Sequence, residues 1–158
     1  MKIADKKLDG VPERIVVLPR DSGDIILKVR CVKDFSAFNE KCPKPKAGEI
    51  VKPGGTRFTD VENPEYKKEL QEWAEKRSAW ILIQSLAATT ELVWDTVVFD
   101  DPTTWKNSYI ELDATGMPPG ELDQIMSAVL TVNGFSQQAF DDAKNRFLAG
   151  QEAENFIP

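Results

Sequence analysis

The sequence predicts an α+β fold: N-terminal β-hairpins in a small antiparallel sheet, then a mainly helical C-terminal half with four helices. Three observations predict it. Apolar residues alternate with a period of two in the first third of the chain. From Asn63 onward they recur at helical spacing. The strand-like runs all precede the long helical ones, an order that separates strands from helices instead of alternating them.

Residues 1–13 read as a flexible polar arm. The run 14–18 is short and β-branched. Residues 24–32 alternate: Ile25, Leu27, Val29 and Cys31 share one face, Lys28 and Arg30 the other. Pro19-Arg20-Asp21-Ser22-Gly23 lies between these runs, which predicts a β-hairpin with a five-residue loop. Asp34 is placed to cap a short helical turn that buries Phe35 and Phe38. Residues 49–52 and 56–61 predict a second, smaller hairpin. Pro53-Gly54 between them is the signature of a type II turn.

Asn63-Pro64 predicts a helix start, since Asn caps well and Pro suits the first helical position. The following helix carries Tyr66, Leu70, Trp73, Trp80 and Ile81 on one stripe. Beyond Ile81 it is apolar nearly all round, as in a helix buried on several sides. Val97-Val98-Phe99 predicts one more strand. Asp101-Pro102 repeats the cap-plus-proline start, with Trp105, Tyr109 and Leu112 at helical spacing until Gly116. Leu122, Ile125, Met126, Val129 and Leu130 mark the next helix, closed by Asn133-Gly134. Ser136 is expected to cap the last helix, with Phe135 stapled onto Phe140 and Gly150 as the stop. The domain assignment is then a single α+β domain over 14–150 and a frayed tail over 151–158.

Histidine is absent from all 158 residues. That removes the commonest general base and the commonest metal ligand. Ser-His-Asp and Cys-His chemistry are excluded with it. Two cysteines eleven positions apart do not build a zinc cluster, and no phosphate-binding glycine motif occurs. Paired acids at Asp100-Asp101 and Asp141-Asp142 fall at helix starts, where negative charge is favoured. Cys42 reads as an exposed thiol in a polar loop. The sequence therefore points to a protein that is not an enzyme and has no cofactor or metal.

Charge is divided along the chain. Residues 28–57 carry a net +5 and residues 89–158 a net −9. Such a split suggests docking onto a protein partner, a second copy of the chain among them. Lys28, Arg30, Lys44, Lys46, Lys52 and Arg57 form the candidate basic patch. With Phe35, Phe38 and Phe58 interleaved, it raises a nucleic-acid-binding regulator as one reading. The overall charge of −6 and the helical spacing of the phenylalanines weigh against nucleic acid as a partner. The N-terminus shows no apolar signal core and no stretch is apolar enough for a bilayer, so a cytoplasmic, non-secreted, non-membrane protein is expected.

The run DVENPEYKKELQEWAEKRSAWILIQSL, preceded by DFSAFNEKCPKPKAG and VKPGGTRF and followed near the end by FLAGQ, resembles tail assembly chaperones of long-tailed bacteriophages. The resemblance spans about residues 14 to 151. It implies a non-catalytic protein in the cytoplasm of an infected bacterium. Such a protein binds the tape-measure protein, assists tail tube assembly and meets tail tube subunits as they arrive. A minor virion structural protein of the tail or neck is the alternative. The third main helix and the last helix are expected to pair as a helical hairpin. Its candidate protein-binding anchors are Leu122, Met126, Val129, Phe140 and Phe147.

Overall fold

A β-hairpin, a short helix, the apolar half of a long helix and the helical stretch 105–132 enclose the core of this computed structural model, which describes residues 1–7 and 10–155. The side chains of residues 139, 140, 143, 147 and 151–155 lie outside that description. The elements run in the expected order. Strands β1 (Lys2–Ile3), β2 (Lys6–Lys7), β3 (Glu13–Leu18) and β4 (Ile25–Arg30) come first, then helix α1 (Ser36–Lys41) and strands β5 (Glu49–Val51) and β6 (Arg57–Thr59). Helix α2 (Pro64–Leu86), a 3₁₀ turn (Pro102–Thr104) and helices α3 (Asn107–Ala114), α4 (Pro119–Val132) and α5 (Gln137–Asn155) follow. The fold is α+β, with antiparallel hairpins preceding a helical half.

The strands pair as three separate two-stranded sheets. In the central one Leu18 faces Ile25 and Glu13 faces Arg30. The register turns Val16, Leu18, Leu27 and Val29 into the core, as period-two alternation requires. The connecting loop is one residue longer than expected, because Asp24 leaves the strand. Its side chain instead accepts a hydrogen bond from the Arg20 amide. The arm at 1–13 carries a hairpin of its own, β1–β2, turning through Ala4 (φ 50°) and Asp5 (φ 62°). Hairpin β5–β6 turns as its proline and glycine dictate: Gly54 has φ 106° and the Gly55 amide donates to the Lys52 carbonyl.

The Asn63 side chain caps α2 by accepting from the amides of Glu65 and Tyr66. Its first half is half wet, while Ala79 to Ile83, Ser85 and Leu86 are buried. Helix α1 is held by Phe38, which is fully buried. The Phe38 ring lies 5.8 Å from Trp73, 5.6 Å from Trp80 and 6.0 Å from Trp105. Aromatic contacts at these separations contribute beyond their buried area. Cys42 is buried, not exposed. Burial pushes its thiol up against the opposing pull of Lys76 and Lys41.

Two further expectations are corrected. Val97-Val98-Phe99 forms no strand. The Thr104 hydroxyl accepts from the Val98 amide and donates to the Val98 carbonyl, and Trp105 Nε1 donates to the Phe99 carbonyl. With those groups engaged and no strand alongside, this segment stays a loop. Nor does the last helix stop at Gly150; it continues to Asn155. One glycine costs a helix only about 1 kcal/mol, and Ala149, Gln151, Glu152, Ala153 and Glu154 around it all favour helix. The expected contact of Phe135 with Phe140 lies outside the described residues.

Arg20 in the β3–β4 loop ties this hairpin to the first turn of α4. Its two terminal nitrogens bond both Glu121 oxygens at 2.7 Å, the bidentate geometry that suits a guanidinium. The bond from Arg20 holds the Glu121 carboxyl below its ordinary 4.5, with burial opposing and the Arg20 charge assisting. A carboxyl depressed in the folded state stabilises fully above its unfolded value and loses that effect as pH falls through the folded one. We therefore expect a thermal midpoint that is flat from about pH 7 to 5 and drops below about pH 4.5. In Glu121→Gln that drop is shallower, read by circular dichroism melts across the series. Equal slopes for both proteins would remove this pair as a contributor.

Candidate protein-binding groove

The groove of interest is positioned by the end of α4. The Gly134 amide donates to the Thr131 carbonyl and the Phe135 amide to the Leu130 carbonyl. Gly134 has φ 74°. This is a Schellman closure, whose two crossed bonds need a left-handed residue at the position of Gly134. It folds Phe135 back beside Leu130, leaving them 49% and 46% exposed. Two large apolar side chains thus stand at the rim of one groove.

The groove is about 260 Å³ and lies between α2, α3 and α4. Ile81 and Leu82 of α2 and Val129 of α4 form its buried floor. Met126 and Tyr109 wall it, and Arg77 and Ser78 border it. The Arg77 guanidinium lies 4.9 Å from the Phe35 ring and 5.8 Å from the Phe135 ring. It places one cation over two aromatic faces. Burial pushes the Tyr109 phenol above its ordinary value.

Of the anchors expected from sequence, Met126 and Val129 meet in this groove, and Leu122 is half-buried against the core instead. Phe140 and Phe147 lie outside the described residues. The expected pairing of this helix with the last one rests on side chains outside the described residues. The groove is walled by α2 and α3 opposite α4, and among the described residues none of α5 enters the core. Ile81, Leu82, Tyr109, Leu130, Phe135 and Arg77 were missed as site residues. The signal for Phe135 was present in Asn133-Gly134-Phe135, which reads as a helix closure followed by its apolar partner. Nothing local brings Ile81 to Met126, because that is a long-range helix packing.

The basic residues do not converge on one element. Lys28 and Arg30 lie on β4, Lys44 and Lys46 on the loop after α1, and Lys52 and Arg57 around the β5–β6 hairpin. Arg30 is paired to Glu13 at 2.9 Å and Arg57 to Glu49 at 3.8 Å. Lys44 sits over Trp73 and Lys52 over Phe58. Phe38 is fully buried and unable to stack on a base, whereas Phe58 is 40% exposed.

The paired acids have local partners. Asp100 is bonded to Lys41, which holds its carboxyl below the ordinary range. Asp101 caps the 3₁₀ turn through the Thr103 amide, and Asp141 and Asp142 accept from Gln137 and Gln138. Cys31 and Cys42 are both free thiols. Among the described residues no three His, Cys, Asp or Glu side chains cluster as metal ligands. No helix among them is long and apolar enough to cross a membrane.

Helix closure makes a direct prediction. Gly134→Ala forces a side chain into the left-handed region and is expected to cost about 1–2 kcal/mol. It should also loosen Phe135, seen as a chemical-shift change at the Phe135 ring. An unchanged melting midpoint would argue against the closure. Comparison with protein families, characterised proteins and solved structures returned no match.

Proposed function

We propose that this chain is a non-catalytic, protein-binding tail assembly chaperone of a long-tailed phage, working in the cytoplasm of the infected host. In this reading the α2–α3–α4 groove holds apolar anchors of the tape-measure protein until tail tube subunits replace it. The observation that carries the reading is the groove itself, an apolar floor with Leu130 and Phe135 left exposed at its rim. Amphipathic helices dock in this way, through side chains three and four positions apart. The Arg77 charge at the border favours a helix with an acidic residue flanking its apolar face. The resemblance in residues 14–151 supplies the partner.

Co-expression with a tape-measure fragment tests it. A soluble complex is expected, and Leu130→Asp with Phe135→Ser should weaken it at least about tenfold. Since the two residues also pack on each other at the helix closure, a circular dichroism melt checks that the double variant stays folded at the assay temperature. An insoluble fragment with no co-eluting chain would end the proposal. Mass spectrometry of purified particles separates the alternative. A chaperone is absent from the finished virion, whereas a tail or neck subunit is retained in it.

A further inference from the structure

The central hairpin has two edges, and the fold treats them differently. On β4 the Thr89 hydroxyl accepts from the Lys28 amide at 2.7 Å and donates to the Lys28 carbonyl at 3.1 Å. That places the Lys28 backbone on the side away from β3. In antiparallel pairing the residue opposite, Ile15, must then point its own amide and carbonyl outward too, and Val17 shares that orientation. Among the described residues nothing bonds to these groups. Thr89 thus caps the β4 edge at its middle, at Lys28, whereas the β3 edge is open along its length among the described residues.

The open edge also lacks the devices that ordinarily block strand addition. Strand β3 has six residues in unbroken register, without proline or bulge. Its charges, Glu13 and Arg14, stand at its start. Ile15 is 61% exposed and Val17 47%. Beside the edge runs a groove of about 470 Å³ between β3 and α4, lined on one side by Arg14 and on the other by Asp123. Neither of these two is in an ion pair among the described residues.

We propose that β3 is a homodimer interface, in which a second copy adds its own β3 antiparallel across this edge. A two-fold contact requires a patch complementary to itself. An antiparallel strand edge satisfies that requirement, and a groove carrying a cation and an anion that are unpaired among the described residues satisfies it in charge. With the axis through Val16, Ile15 of each copy pairs with Val17 of the other, giving four backbone hydrogen bonds. The two hairpins become one four-stranded sheet. The two grooves merge, so Arg14 of each copy faces Asp123 of the other.

Sedimentation equilibrium on the full chain tests this. The wild type should run at twice its 17.7 kDa. Val17→Pro removes an outward amide that bonds none of the described residues, and Ile15→Lys adds an edge charge. Each should shift the protein to monomer, with an unchanged circular dichroism spectrum. Arg14→Glu should raise the dimer dissociation constant at least about tenfold, and adding Asp123→Arg should restore it. A wild type that stays monomeric at high concentration, or a dimer indifferent to Val17→Pro and Ile15→Lys, overturns the proposal. A monomer that instead captures an extended strand of another protein overturns it equally.

Discussion

Phe38→Ala is expected to destabilise the protein by about 3–5 kcal/mol, the range for removing a buried aromatic ring. Phe38 is fully buried and touches Trp73, Trp80 and Trp105. Its loss leaves a void bordered by three large rings that cannot all move inward, so the cavity collapses little. The six residues of α1 add to the effect. A helix this short has no stability of its own in water, and Phe38 is its buried residue. Denaturant unfolding followed by tryptophan emission measures both consequences. The midpoint should fall and the native emission should shift to longer wavelength as water reaches the indoles. Phe38→Leu should lose less, since it fills part of the void. A loss under about 1 kcal/mol for the alanine variant would mean that the aromatic cluster is not the centre of the core.

Asn133→Ala carries the next largest expectation, about 2–3 kcal/mol. One side chain here joins three elements. Its oxygen accepts from the Val32 amide at 2.9 Å, just beyond β4. Its nitrogen donates to the Ser85 hydroxyl of α2 at 2.9 Å and to the Val129 carbonyl of α4 at 2.7 Å. Ser85 is wholly buried. Removing the side-chain amide strips the Val32 amide and the Ser85 hydroxyl of this partner, while the Val129 carbonyl keeps the Asn133 backbone amide at 3.3 Å. Leaving a poorly hydrated polar group unpaired costs about 1–3 kcal/mol. Ser85→Ala should cost less, because it removes the needy hydroxyl itself. A double-mutant cycle of the two should show coupling of about 0.5–1.5 kcal/mol, and additive effects would disprove the link between α2 and α4.

Much of the fold was legible because its signals are local. Asn63-Pro64 sets a helix start through one side-chain cap and one fixed φ. Lys52-Pro53-Gly54-Gly55 sets a turn through the same kind of constraint. The alternation of Leu27 and Val29 with Lys28 and Arg30 chose the inward face of β4. Val97-Val98-Phe99 misled because β-branched residues predict a strand only where a neighbouring strand exists, and here Thr104 and Trp105 take its backbone groups instead. Gly150 misled because a single glycine among good helix formers is tolerated.

The candidate site was legible in part. Met126 and Val129 were visible as a stripe, but a stripe has no stated partner. Whether it packs on the following helix or opposite α2 and α3 depends on how helices distant in sequence cross. Leu122 shows the same limit from the other side, since its stripe position is identical in kind and, like Met126, it packs half-buried against the core, yet it does not line the groove.

The chain's own residues determined the order of strands before helices, the caps, the turns and which faces are apolar, since each follows from interactions within a few residues. The tertiary structure alone decided which apolar faces stay open. Thr89, just beyond α2, caps the β4 edge at Lys28, no described residue does so for β3, and Phe135 ends at the rim of a groove built from three helices. Those outcomes rest on contacts between residues far apart along the chain, where geometry in space, and not spacing in sequence, sets what meets what.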